Sequence, residues 1–381
     1  MKKIYLIIFF ALFINKINAG EQFRYNITID NRYFYNDIDE NSKINPGNSA
    51  KLSNYANDLR AYLKFDFTKN KLLNFHYQSL YNNYYSKTNN FKNHFYLFEG
   101  YWDYSLSDQI LIRLGKQHAK WGSGYAWNPT NTIEPKKDPT QPEEIMEGIT
   151  AAKIHFLYRD FYLTTIGLLN DESEKLEFAL KVGALINEFD ISFNCHRRYN
   201  RNWIGGLDFV GFISDLEIHG EFAAQKGSDR WYPDQYGQFF QKSYKYIAKY
   251  LIGCSYTLSS NIMFILEYFR DEEGFNATEM KNFITYLPMT APLYRAVNMQ
   301  KNNLFFAVTK TDMSEILMLQ GILLTNLNNL NTIFLPEITY SPIQSFSIAL
   351  RIQFGYNGIR KSEQDLSPIP NAIRLKSTLY F

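Results

Sequence analysis

Six histidines, two cysteines and one glycine-rich loop are the places where this sequence could do chemistry. The histidines are His76, His94, His118, His155, His196 and His219. Metal-binding pairs stand a few residues apart, so that one turn or strand presents both to the ion. No two of these are that close, and each is expected to be a polar wall or loop residue. Cys195 and Cys254 are too far apart for a metal knuckle and too few to define a disulfide framework. The densest stretch is GKQHAKWGSGYAWNPT at 115–130, which gathers Lys116, His118, Lys120, Trp121 and Trp127. A phosphate cradle would need G-x-x-x-x-G-K-[ST] and a following helix aimed at the anion, and neither is there. Nucleophilic catalysis through His118 would need a serine or cysteine and an orienting carboxylate, and no spacing supplies them. The expectation is a protein that is not an enzyme and that uses no cofactor and no metal.

The elements that must position this loop are strands. From Phe346 one face reads Phe346, Ile348, Leu350, Ile352 and Phe354, and the other Ser347, Ala349, Arg351 and Gln353. From Phe189 the faces are Phe189, Ile191, Phe193, Cys195 against Asp190, Ser192, Asn194, His196. From Phe23 they are Phe23, Tyr25, Ile27, Ile29 against Arg24, Asn26, Thr28, Asp30. A period of two with one apolar and one polar face is a strand between two unlike environments. Helical spacing is not sustained anywhere after residue 20. Eighteen such segments can be read, near 21–34, 59–68, 72–84, 94–106, 108–118, 148–158, 161–170, 175–186, 188–198, 202–213, 215–226, 246–258, 261–271, 302–312, 315–327, 331–342, 345–356 and 372–381. Each is about ten residues, the length a tilted strand needs to cross a bilayer. Tight turns fall near 68–72, 107–108, 159–160, 187–188, 214–215, 259–261, 313–314 and 343–344. Mostly longer connections lie between them, including 35–58, 119–147, 227–245, 272–301 and 357–371.

Residues 1–19, MKKIYLIIFFALFINKINA, read as a cleaved secretory signal peptide. Lys2 and Lys3 precede an apolar run too short to span a bilayer, and Ile17-Asn18-Ala19 offers a cleavage site before Gly20. Without Lys2, Lys3 and Lys16, acids and bases nearly balance. No run of like charge appears, so nucleic acid is not an expected partner. Aromatics make up 17% of the chain, yet its mean hydropathy is −0.33. An exported chain that is aromatic but polar on average is a soluble sandwich or propeller, or a transmembrane barrel. No repeat of about 40–50 residues marks a propeller, and short turns alternating with longer loops favour the barrel.

The expected fold is therefore all-β: one antiparallel transmembrane barrel of about 18 strands (16–18) over residues 20–381. Lipid cannot satisfy backbone N–H and C=O groups, so a spanning sheet must close on itself. Tyr25, Trp102, Tyr104, Tyr158 and Tyr268 would form interfacial girdles with outer-membrane lipid. The inward face carries Arg24, Lys64, Asp66, His76, Glu99, Arg113, Lys153, Lys181, Asp190, Asp208, Glu217, Glu221, Glu267, Arg351 and Arg374. Unpaired buried charges cost several kcal/mol each, so this interior is expected to be wet, and 16–18 strands leave an aqueous lumen. An even strand number puts both termini on the short-turn, periplasmic side. The last strand, ending at Phe381, looks like the signal read by the outer-membrane barrel assembly machinery. The Asn-x-Thr triplets at Asn26 and Asn276 are expected to be chance sequons if the host is bacterial.

The run Arg113-x-Gly115-Lys116-Gln117-x-x-x-Trp121-Gly122-x-Gly124-x-x-Trp127-Asn128-Pro129-Thr130, with Lys137-Asp138-Pro139-Thr140 and Glu147-Gly148 after it, resembles a signature of porin-like outer-membrane barrels. It is similar to alginate-export-like barrels and related outer-membrane families. Leu335-Pro336-Glu337-x-x-Tyr340-Ser341-Pro342 and Phe354-Gly355-Tyr356-Asn357-Gly358 add to that likeness. The resemblance implies a channel in the outer membrane of a diderm bacterium, and it allows a homotrimer, although no segment marks a subunit interface. With walls of both signs, the expectation is passive diffusion of small hydrophilic solutes with weak ion selectivity. The alternatives are a substrate-specific exporter or uptake channel and a non-conducting surface-binding barrel. An embedded lipase would need a Ser/His pair at the rim that is not seen. Four prolines stiffen the 119–147 loop, at 129, 135, 139 and 142. We expect it to fold inward and narrow the pore, the bland alternative being a loop that lies over the rim. The expected pore-lining set is Arg113, Gln117, Lys120, Trp121, Glu99, Lys153, Asp190, Glu217 and Arg351.

Overall fold

Side-chain alternation along the chain becomes hydrogen-bonded pairing around a ring. The computed structural model describes residues 22–38, 53–70, 73–86, 92–144, 146–169, 175–199, 202–286, 301–313, 316–356, 369 and 371–381, and the expected signal peptide lies outside them. The strands are β1 Gln22–Asp37, β2 Tyr55–Asn70, β3 Leu73–Ser86, β4 Lys92–Ser107, β5 Ile110–Gln117, β6 Ile149–Tyr158, β7 Phe161–Leu169, β8 Leu176–Ile186, β9 Phe189–Arg197, β10 Trp203–Ile213 and β11 Leu216–Lys226. They continue, after a short hairpin of β12 Trp231–Pro233 and β13 Phe239–Gln241, with β14 Tyr246–Thr257, β15 Ile262–Asp271, β16 Asn302–Met313, β17 Leu317–Asn326, β18 Thr332–Ile343, β19 Phe346–Tyr356 and β20 Asn371–Tyr380. Apart from β12 and β13, every strand pairs antiparallel with its neighbour in the chain, and the last returns to the first. β1 takes β2 on one edge and β20 on the other, from Thr28↔Tyr380 to Asp37↔Asn371. The result is a closed 18-stranded sheet. Closure gives β1 a hydrogen-bonded partner on each side, and a sheet in lipid must close in this way.

The two faces differ as the sequence pattern requires. On β9 and β10 the outward side chains Ile191, Phe193 and Leu207 are exposed, while the intervening Ser192, Asn194, His196 and Asp208 are buried on the lumen side. Three turns at one end contain two residues each. Tyr158 faces Phe161, Ile186 faces Phe189, and Ile213 faces Leu216. In each the first turn residue has a positive φ: Arg159 at 51°, Asn187 at 55° and Ser214 at 54°. That conformation reverses the chain within the right-handed twist of the strands. β1, β2 and β4 each run 16 residues, well beyond the roughly ten that cross a bilayer.

One expectation fails. Helical spacing is absent from the sequence pattern, yet α1, Ala277–Tyr286, is a helix of 10 residues. Its start is written in the side chains. Asn276 Oδ1 accepts from Glu279 N, and Glu279 Oε2 accepts from Asn276 N, both at 2.9 Å. This reciprocal cap uses the same Asn276 that heads one of the Asn-x-Thr triplets. The helix buries Met280 and Phe283 with Phe275 against Tyr232 of the β12–β13 hairpin. It is too short for its pattern to stand out beside 18 strands.

Candidate functional site

β5 stops at Gln117, and the described residues of 118–148 pass into the lumen before β6 begins. Two buried carboxylates on the far wall receive the chain. Glu221 of β11 accepts from Ser123 N and Gly124 N at 2.7 Å, Thr130 N at 2.9 Å, Thr130 Oγ1 at 2.7 Å and Asn128 Nδ2 at 3.1 Å. Glu267 of β15 accepts from Tyr125 N and from Ala126 N, the latter at 2.9 Å, and lies 2.9 Å from His219 Nε2. A carboxylate out of water needs such a full set of donors, and here main-chain N–H groups supply most of it. Gly122 makes the approach possible. Its φ is 84°, and a Cβ there would lie 2.5 Å from Glu221 Oε1.

Aromatic packing completes this root. Trp127 stacks on Phe269 with ring centroids 5.2 Å apart and meets Phe305 edge-on at 6.2 Å. Around it Ala126, Leu251, Ile265, Ile322, Leu324 and Leu335 are buried. Trp121 is buried in a second seam, with Ile133, Ile149, Ala151, Ile166, Leu168 and Ala179. Glu134 ties the root to itself, accepting from Ala119 N and Asn131 Nδ2 at 2.7 Å and lying 3.0 Å from His118 Nδ1. Burial would raise its carboxyl, but those hydrogen bonds outweigh burial and hold it at about 2. Lys137 Nζ donates to the carbonyls of Gly124 and Tyr125 at 3.0 and 3.2 Å.

The tip of the loop reaches the barrel seam. Across β19, β20, β1 and β2 the inward rows carry Arg351, Arg374, Lys376, Arg32 and Arg60. Asp30, Asp58 and Glu337 are interleaved with them. Glu144 enters this basic strip, with its Oε1 2.6 Å from Arg60 Nη1 and 3.2 Å from Arg32 Nη1. Arg351 donates through Nη1 to the Thr140 carbonyl at 3.1 Å and pairs with Glu337. The 118–148 segment thus touches the wall at β9, through Thr132 and His196 3.2 Å apart, at β11, at β15, and at the seam. A cavity of about 210 Å³ opens beside the root, lined among others by Trp127, Lys136, Arg198, Arg230 and Lys249.

The residues expected to line a pore are dispersed by this geometry. Arg113 is inward and held by Asp103 in a bidentate pair at 2.6 and 2.8 Å, with its guanidinium 3.8 Å over the Tyr101 ring. Lys153 faces it across the β5–β6 ladder and makes no ion pair among the described residues. Glu99 lies 3.3 Å from His76 Nε2. Asp190 accepts from Tyr162 Oη at 2.9 Å. Glu217 sits 3.5 Å from His219. Lys120 is exposed, with a φ of 36°. Gln117 and Trp121, in contrast, are buried: the amide of Gln117 donates to the Ala151 carbonyl at 2.9 Å, and Trp121 packs between loop and wall. Of the nine, Arg351 is the wall residue that meets the loop tip. Glu221, Glu267, Arg32, Arg60 and Glu144 are the members the sequence reading did not put in this set. Glu221 and Glu267 were legible as inward charges. No sequence signal says that a carboxylate will be met by main-chain N–H groups from about a hundred residues away.

No protein-family model matches the chain, and no curated protein matches it in sequence. Solved structures do. OccK5 (OpdH) of Pseudomonas aeruginosa is 11% identical, with 95% of this chain and 99% of that one covered and a TM-score of 0.57. OccAB1 of Acinetobacter baumannii is 10% identical, with 94% and 96% covered and a TM-score of 0.60. OprD of Pseudomonas aeruginosa is 10% identical, with 95% and 96% covered and a TM-score of 0.56. These are outer-membrane porins with 18-strand barrels. At such low identity the likeness is one of fold. It agrees with the porin-like expectation and does not support the narrower likeness to alginate-export barrels.

Proposed function

We propose that this chain is an outer-membrane channel for passive diffusion of small hydrophilic solutes, constricted by the 118–148 segment. One observation carries the reading. Inside a barrel whose lumen wall bears charges of both signs, this loop is fixed by Glu221 and Glu267 on one side and by Arg32, Arg60 and Arg351 on the other. Any solute in the lumen must pass its edges. The two-residue turns lie on the periplasmic side with both termini, the signal peptide is removed on export, and the strand ending at Phe381 is presented to the assembly machinery. The three fold neighbours given above are porins, which supports this reading over an enzyme.

The test is single-channel current through the mature chain in a planar bilayer. Stepwise conductance with mild ion selectivity is expected, and deleting Pro129–Pro142 should raise it. Unchanged conductance after that deletion would sink the constriction role. The second reading, a non-conducting barrel that binds at its surface, is favoured by the breadth of the loop's attachment to the wall. A folded, heat-modifiable barrel that passes no current would establish it.

A further inference from the structure

The root of the lumen loop carries one cation without a counter-charge. Lys136 lines the cavity of about 210 Å³ beside the root, together with Arg198, Arg230 and Lys249. The three wall cations each have a carboxylate. Arg198 Nη1 lies 2.8 Å from Asp229, Arg230 Nη2 lies 3.9 Å from Asp271, and Lys249 Nζ lies 2.6 Å from Glu273. Lys137, next in the chain, turns its ammonium to the Gly124 and Tyr125 carbonyls. Lys136 makes no ion pair among the described residues, and it is exposed inside the barrel. The charge of Lys249 lowers the pKa of Lys136 more than burial does. Arg230 adds to the lowering, and Glu273 and Asp271 offset it only in part.

Two ammonium groups that repel each other across an open cavity are stabilised by an anion between them. The space is large for a lone ion, since one water needs only about 15 Å³, and its lining includes the apolar Trp127, Ile204, Ile247 and Phe269. The seam is different. There Arg32, Arg60 and Arg351 hold Asp30, Asp58, Glu144 and Glu337, so the protein supplies their counter-charges itself. Around the cavity the cations come from the loop, from the residues after β9 and β11, and from β14, so they reach the space from different directions. A carboxylate is planar and is matched best by the fork of one arginine. The fork of Arg198 is already held by Asp229 and by Gln225 Oε1, the latter at 3.3 Å. A phosphate group offers oxygens in several directions and accepts from point-like ammonium groups, which is what Lys136 and Lys249 provide.

We propose that the cavity beside the loop root binds the phosphate group of a small solute between Lys136 and Lys249. That the ligand is a solute in passage rests on the channel reading; that phosphate binds here does not. The test is isothermal titration calorimetry of the folded mature barrel in detergent, with inorganic phosphate and with glycerol 3-phosphate at fixed ionic strength. Lys136→Gln should weaken binding by about tenfold or more, the loss expected for one charge-assisted hydrogen bond. Lys136→Arg should bind as the parent does. So should Lys281→Gln, which removes the same charge from an exposed position on α1. Heat-modifiable migration checks that each variant forms the barrel. Parent-like binding by Lys136→Gln, or an equal weakening by Lys281→Gln, would overturn the site. Acetate or chloride competing as strongly as phosphate would overturn its assignment to phosphate. Tighter binding of the ester would name a phosphorylated solute as the ligand, and tighter binding of the inorganic ion would name free phosphate; both uphold the site. Single-channel current is read separately. Phosphate bound by a barrel that passes no current would uphold the site and remove the solute from passage, whereas current without phosphate binding would sink the site and leave the channel standing.

Discussion

The lumen loop has two halves that are held by different physics. The root, 119–134, is fastened by main-chain N–H groups on buried carboxylates and by two tryptophans in apolar seams. The tip, 138–147, is fastened by Glu144 between two arginines and by a carbonyl on Arg351, with the Glu144 side chain 32% exposed. Burial and satisfied hydrogen bonds do not fade with salt, whereas ion pairs in contact with water do. The root should therefore behave as part of the wall and the tip as a latch that solvent conditions can loosen.

The largest expected effect is at Trp127. Trp127→Ala removes the ring that stacks on Phe269 and should cost the root about 3–5 kcal/mol. Amide exchange at Tyr125 and Ala126 should quicken by about a hundredfold or more, since local opening then needs that much less energy. Unchanged exchange would mean that the carboxylates alone hold the root. Glu221→Ala tests that share directly. It leaves the N–H groups of Ser123, Gly124 and Thr130 without their acceptor. At about 1 kcal/mol each the loss is roughly 3 kcal/mol, and the open channel should become noisy at all salt concentrations. A quiet channel would show that water replaces the carboxylate at no cost.

Acid gives a third test. The Glu134 carboxyl is held at about 2 against an ordinary 4.5. A carboxyl with a lowered folded value stabilises above its ordinary pKa, and that stability is lost as pH falls toward the folded value. The share of the root's stability that Glu134 supplies should be unchanged between pH 7 and 5 and be lost only between about 4.5 and 2. Arg60 and Arg32 likewise lower the Glu144 carboxyl, against burial, so the tip should also survive to pH 5. Conductance traces that change between pH 7 and 5 would assign the acid response to some other group.

Much of this comparison could not be read from the chain. Strand positions could, because an outward side chain that meets lipid and an inward one that meets water must alternate. The reading near 188–198 and 202–213 coincides with β9 and β10 to within a residue. The inward charges were legible for the same reason. What periodicity does not carry is who meets whom across the lumen. Trp121 is among the expected pore residues, and periodicity does not say that it packs against Ile166 and Ala179 from the wall of later strands. Glu144 was one of several loop carboxylates until Arg32 and Arg60, more than eighty residues earlier, placed it. α1 was missed because ten residues of helix announce themselves only through the Asn276–Glu279 cap.

The smallest effect is also the one that separates the halves most cleanly. Glu144→Gln keeps the shape of the tip and removes its charge, at a cost of at most about 1 kcal/mol for a pair partly open to water. At 0.1 M salt, where the Debye length is about 10 Å, the variant should conduct more than the parent, because its tip leaves Arg32 and Arg60 more often. At 1 M the length falls to about 3 Å, the parent's own latch is screened, and the two traces should converge. Trp127→Ala should show no such convergence, since salt does not weaken a stacked ring. If Glu144→Gln differs from the parent equally at both salt concentrations, the tip is held by shape rather than by charge. If neither variant differs at all, the solute path does not pass the loop.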